Sequence, residues 1–188
     1  MNTVEPIRDI DLVYDIADYL RVRNERDYVM FLFGIYTGLR ISDIRKFRIR
    51  DIKGKDNIYI REQKTGKEKK FPIHNDLKEV LKEYIKDKNE YDFLLKSAKG
   101  KNQAISRQQA YKILNDAAKA FGLESIGCHT MRKTFGYFLY METKDAVTIK
   151  EILNHDDIST TLRYIGINQD RKDKVMSKLS FINKKKRK

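Results

Sequence analysis

One helix-length stretch of this chain is apolar nearly all the way round. Between Glu25 and Tyr36, the run Val29–Met30–Phe31–Leu32–Phe33–Gly34–Ile35–Tyr36 contains no charge. A helix without a polar face cannot lie on a surface, so the other elements must be arranged around it. Its ends are marked in the sequence. Asn24, with Asp27 three residues on, is suited to the N-cap, and Gly38 is placed to stop the helix in a left-handed turn. Upstream, Ile7, Ile10, Val13, Ile16, Ala17 and Leu20 recur at helical spacing, which predicts a helix over residues 7–21.

After a short helix beginning near Ser42, the period changes to two. Arg48–Ile52, Ile58–Ile60 and Lys69–Ile73 alternate, with turns at Gly54 and at Lys64–Thr65–Gly66–Lys67. These segments predict a small three-stranded antiparallel sheet whose last hairpin carries Lys64, Lys67, Lys69 and Lys70. From Asn75 the pattern is helical again. A helix capped by Asn75 runs to about Ile85. Ser106 and Gln109 form a capping box for a helix ending near Ala120, and Gly122 stops it. Further helices are expected over Thr130–Met141, Asp145–Leu153, from Ser159 or Thr160 as N-cap, and over Asp170–Leu179. The fold class is therefore α+β, mainly α-helical, in one domain of residues 1–180. Residues 181–188, which include KKKRK, form a basic tail.

With 40 Lys and Arg against 27 Asp and Glu, the net charge is +13, which suits a polyanionic partner such as nucleic acid. No run of 18 apolar residues exists, and the acidic N-terminus has no apolar core like that of a signal peptide. Cys128 is the single cysteine, so no internal disulfide can form and a reducing cytoplasm fits. The three histidines, His74, His129 and His155, are far apart and show no zinc-ligand spacing.

Short polar motifs punctuate this frame. Thr37–Gly38–Leu39–Arg40 leaves the core helix at a sharp turn, with Asp43 three residues after Arg40 and able to pair with an arginine. Lys64 sits at the hairpin tip, in QKTGK. His129 and Arg132, at i and i+3, share one helix face and can point at one ligand. His155 precedes Tyr164 by nine residues, in LNHDDISTTLRYI. The ordered set Arg40, Lys64, His129, Arg132, His155 and Tyr164 resembles the tyrosine recombinase (phage integrase) family. TGLRISDI looks like its first-arginine box, QKTGK like its hairpin lysine, HTMRKTF like its His-x-x-Arg box, and LNHDDISTTLRYI like its histidine-to-tyrosine box. The likeness covers about residues 5–170.

The resemblance implies the catalytic-domain fold of that family and a site-specific recombinase that acts on double-stranded DNA without metal, ATP or other cofactor. Arg40 and Arg132 would clamp the non-bridging phosphate oxygens, and their charge would favour ionisation of Tyr164, the nucleophile. His129 would act as base or hydrogen-bond donor. His155 would donate to a phosphate oxygen, and Lys64 would protonate the departing 5′-hydroxyl. The product would be a covalent 3′-phosphotyrosyl bond. Family members work as tetramers on DNA and carry a separate N-terminal DNA-clamping domain; residues 1–24 are too few to form one. Phosphate or base contacts are expected from Lys67 and from Arg107, Gln108, Tyr111 and Lys112 on the helix beginning at Ser106. A non-catalytic DNA-binding regulator on the same fold and a type IB topoisomerase-like relaxer remain as alternatives.

Overall fold

In the computed structural model, residues 4–61, 66, 68–124 and 126–179 are described. The apolar stretch forms α2 (Glu25–Thr37), behind α1 (Ile10–Arg23). Val29, Met30 and Phe33 are completely buried, and α2 packs against α1, α4 (Asn75–Ile85) and α6 (Cys128–Thr143). The expected cap is present, since Asn24 accepts from the Arg26 amide. Gly38 ends the helix at φ +62°. A Cβ there would lie 2.4 Å from the Phe135 ring, so both conformation and space restrict this turn to glycine.

The turn leads into α3 (Ile41–Ile44), which has Arg40 as its N-cap residue. The sheet has two strands among the described residues, not the expected three. β1 (Asn57–Arg61) pairs antiparallel with β2 (Glu68–Pro72), in a register running from Asn57↔Pro72 to Arg61↔Glu68. The segment expected as a first strand makes a single bridge, Arg48↔Phe93, and then turns into a 3-10 helix at Ile49–Asp51. The reason is burial spacing. Ile49 and Ile52 are both buried and stand three apart, a turn's spacing, while the Asp51 carboxylate accepts from the Arg48 amide at 2.8 Å. The alternation seen in the sequence came from arginines flanking a turn.

The remaining helices are α5 (Arg107–Ala120), α7 (Ala146–Leu153), α8 (Ile158–Tyr164) and α9 (Ile167–Met176). Several caps fall one or two residues from the expected places. His74, not Asn75, caps α4, and Asp157 caps α8, accepting from the Thr160 amide and from the Ser159 and Thr160 hydroxyls. A second apolar cluster of Tyr137, Ile149, Leu153, Ile165 and Ile167 joins α6, α7, α8 and the start of α9. Beyond Arg171, whose guanidinium donates to the Tyr140 hydroxyl at 3.2 Å, α9 leaves the body, with Val175, Met176 and Leu179 exposed.

α2 and α6 approach closely at Gly34. A Cβ on Gly34 would stand 2.6 Å from Met131 Sδ and 2.9 Å from Met131 Cβ. Alanine is the better helix former by about 0.8–1 kcal/mol. Overpacking outweighs this gain, at about 1–3 kcal/mol. Gly34→Ala is therefore expected to lower the urea midpoint with unchanged m-value; a raised midpoint would show that the interface gives way freely.

Candidate active site

The expected site residues come from separate elements that meet on one face. Arg40 ends the α2–α3 turn; His129 and Arg132 lie on the first turns of α6; His155 follows α7; Tyr164 ends α8. Arg132 is buried and ties two of these boxes together. Its Nη1 donates to the Gly38 carbonyl at 2.6 Å, and its Nη2 donates to the Leu153 carbonyl. It also donates toward the Tyr164 phenol. A planar guanidinium with a fixed fork of donors can hold several partners at once. Asp43 is completely buried, with the Lys46 ammonium 3.7 Å away.

His155 is positioned from two directions. α7 ends at Asn154 in a left-handed conformation, φ 53°, which turns the chain out of the helix and presents the next residue to the site. The His155 ring then packs edge-on against Tyr164, with centroids 4.8 Å apart, and its Nδ1 lies 3.1 Å from Thr161 Oγ1. The Thr161 hydroxyl also reaches the Asp157 carbonyl at 3.1 Å. A carbonyl only accepts, so satisfying both contacts sends the single hydroxyl proton to Asp157 and requires Nδ1 of His155 to carry its own proton. Thr161 is completely buried and was not singled out in the sequence; a threonine among polar neighbours gives no signal there.

Tyr164 is half-buried among cations. His129 Nδ1 lies 3.3 Å from its hydroxyl, and the Lys133 ammonium sits 5.0 Å from the ring centroid. The phenol's pKa is raised, first by burial; Arg132 and Arg40 oppose this without overcoming it. The arginines do favour ionisation, as expected, but in the DNA-free protein desolvation outweighs them. His129 is shifted down by desolvation and then by Arg132, Arg107, Arg40 and Lys133. His155 is pushed down to about 4, by burial first and then by Arg132 and Arg40. Both imidazoles are accordingly neutral near pH 7. Among the described residues, no three His, Cys, Asp or Glu side chains are grouped to hold a metal ion.

Lys64 and Lys67 lie outside the described residues. Lys69, on β2, reaches the site's edge instead. Its ammonium donates to the carbonyls of Ile152 at 2.5 Å and Glu151 at 3.3 Å, at the C-terminal end of α7. There its charge complements the helix dipole and adds to the field that lowers the His155 pKa. Arg107, Gln108, Tyr111 and Lys112 are all exposed on α5. The first three line a hollow of about 480 Å³ with Val4, Gly127, Cys128 and His129. Lys112 is not part of that hollow. No helix among the described residues is long and apolar enough to cross a membrane.

The His155 shift fixes a pH dependence. Its folded pKa, about 4, lies below the ordinary value of 6.5. Between these values the unfolded chain binds more protons, so stability rises with pH there. The contribution is complete above the unfolded pKa and is lost as pH falls through the folded one. In an NMR titration the His155 imidazole should stay neutral down to about pH 4; ordinary titration near 6.5 would show that the ring is not held as described.

The sequence and the fold both have relatives. The profile of the phage integrase family matches residues 8–171. "Probable integrase/recombinase YoeC" of Bacillus subtilis (strain 168) is 47% identical over 170 residues, which are 90% of this chain and 93% of that protein. Tyrosine recombinase XerC of Thermodesulfovibrio yellowstonii is 32% identical over 153 residues, 77% of this chain; the chain spans about half (51%) of that protein. Among solved structures, XerA recombinase superposes with a TM-score of 0.70 at 19% identity, covering 94% of this chain and 65% of that one. XerH bound to its difH substrate after cleavage gives 0.69 at 18%, covering 94% and 53%. At such identities these structures speak for the fold alone. On the match over residues 8–171 and the 47% identity to the Bacillus protein, the chain belongs to the phage integrase family.

Proposed function

We propose that this protein is a site-specific DNA recombinase, cutting and rejoining double-stranded DNA through a covalent 3′-phosphotyrosyl intermediate. The observation that carries the reading is the convergence of Arg40, Arg132, His129 and His155 on the half-buried Tyr164 phenol. Tyr164 Oη attacks the scissile phosphorus; the new O–P bond forms as the bond to the 5′-oxygen breaks. The neutral His129, 3.3 Å from the hydroxyl, receives the phenol proton. Arg40 and Arg132 stabilise the charge that builds on the non-bridging oxygens. His155 takes part through Nε2, since Nδ1–H is committed to Thr161. To donate to phosphate it must first be protonated, which the arriving negative charge favours. Lys64 delivers a proton to the departing 5′-oxygen. A second 5′-hydroxyl reverses the step, so the bond energy is conserved and neither ATP nor metal is needed.

The rest of the molecule supports this role. The +13 charge and the exposed Arg107, Gln108, Tyr111 and Lys112 suit DNA, and Lys67 would add a phosphate contact at the hairpin. Residues 1–180 act as one catalytic domain. Solved relatives include a lambda integrase tetramer bound to a Holliday junction. Here the exposed Val175, Met176 and Leu179 of the α9 region offer an apolar surface to a second copy, consistent with assembly on DNA. A protein acting on cellular DNA works in the cytoplasm, which the lone thiol of Cys128 suits.

On a nicked suicide substrate, wild-type protein should form a DNA adduct that survives denaturant, in EDTA and without ATP. Tyr164→Phe should form none while binding the same DNA. A wild type that binds DNA without ever forming the adduct would identify a non-catalytic regulator. Arg132→Ala should slow adduct formation by about 10²–10³-fold, the usual cost of losing one transition-state donor. Affinity should fall linearly on a log–log plot against salt, with a slope of about −0.9 per phosphate contacted.

A further inference from the structure

The segment before α1 does not simply enter the fold; it lies against the chain that follows Tyr164. The Ile7 side chain is buried, and its amide donates to Thr134 Oγ1 on α6 at 2.9 Å. Arg8 then reaches across. Its Nε donates to Asp170 Oδ1 at 2.8 Å and its Nη2 to Glu5 Oε2 at 3.0 Å, while its guanidinium lies 5.8 Å from the Tyr137 ring centroid. Asp170 also lies near enough to the Tyr137 phenol to help raise its pKa, after burial. Four side chains from three regions of the chain, Glu5, Arg8, Tyr137 and Asp170, thus share one network.

Asp170 follows Tyr164 by six residues, and Arg8 itself meets the turn at Gly166, two residues after Tyr164. Gly166 takes φ +88°, and a Cβ there would stand 2.7 Å from Arg8 Nη2 and 3.3 Å from Pro6 Cγ. Ile165 is completely buried, against Gly136 of α6, where a Cβ would stand 2.7 Å from Ile165 Cγ2. The chain leaving Tyr164 is therefore wedged between α6 on one side and Pro6–Arg8 on the other. α9 touches the body only near its start, through its first turn, Asp170 and an Arg171 bond to the Tyr140 hydroxyl at 3.2 Å.

We propose that Arg8 is a positioning residue for the nucleophile. Resting on the strand-transfer reading above, it clamps the Gly166 turn through Asp170 and so sets where the Tyr164 hydroxyl stands relative to the phosphate. A clamp on the turn two residues after Tyr164 matters because in-line attack tolerates little displacement, and a shift of about 1 Å can cost about 10²-fold. The clamp also makes the segment before α1 a mechanical input to the site. Tension on residues 5–8 acts on the turn behind Tyr164 without passing through the DNA-facing residues.

The test uses the full chain in two measurements. In single-turnover cleavage of the suicide substrate, Arg8→Met and Asp170→Asn should each slow adduct formation by about tenfold, with the DNA dissociation constant unchanged within about twofold. The exchanged pair Arg8→Asp with Asp170→Arg should recover most of the rate. Equal cleavage rates in wild type and both single variants, or a loss confined to DNA affinity, would overturn the proposal. Hydrogen exchange over residues 160–176 supplies a readout independent of chemistry. The single variants should exchange faster there and unchanged at α2; unchanged exchange in both segments would also overturn it. If wild type forms no adduct, the recombinase reading fails while the exchange result still decides whether the clamp exists.

Discussion

The Arg132 guanidinium is the interaction on which this site depends. It holds the carbonyl of Gly38, two residues before Arg40, and the carbonyl of Leu153, two residues before His155, with one planar group. Both carbonyls belong to helix C-terminal ends, where a helix leaves acceptors without internal partners. A buried cation bonded to two such acceptors costs less than an isolated one and fixes both ends at once. The same residue that would meet the phosphate thus also assembles the loops that would meet it. Loss of Arg132 removes a charge from the site and the tie between its two halves.

Desolvation is the second theme. Burial leaves Tyr164 protonated and both histidines neutral, in spite of several cations nearby. The DNA-free site is therefore at rest. An entering phosphodiester brings the negative charge that this cluster of cations lacks, and it shifts His155 toward protonation. On the proposed mechanism, His155 becomes a cationic donor only when the substrate is in place.

The core supports this arrangement by close approach of backbones. Gly34 against Met131, Gly38 against Phe135 and Gly136 against Ile165 bring α2, α6 and the chain after Tyr164 nearer than any side chain would permit. Each contact lies within a few residues of a site residue. Packing of this kind transmits displacement, because a close-packed interior does not deform continuously. That rigidity makes the contacts of Pro6 and Arg8 with the Gly166 turn relevant to chemistry some distance away.

Much of this was legible in the residues. The charge-free face of α2, the Asn24 and Ser106 caps and the ordered set Arg40, His129, Arg132, His155 and Tyr164 follow from local periodicity and motif wording, and local signals survive folding. The first strand did not survive, because Ile49 and Ile52 face the core three residues apart, and only tertiary burial separates that from alternation. Lys69 stood out only as one of the hairpin lysines, and Thr161 and Arg8 gave no signal of their own; the partners of Lys69 and Arg8 lie on other elements. The sequence by itself determined the order of the groups proposed for this chemistry, because residue types and their order are set by the covalent chain. Tertiary structure alone decided their protonation, their hydrogen-bond directions and the clamp behind Tyr164. Those depend on burial and on distances between residues as far apart as Arg8 and Asp170, which no local pattern encodes.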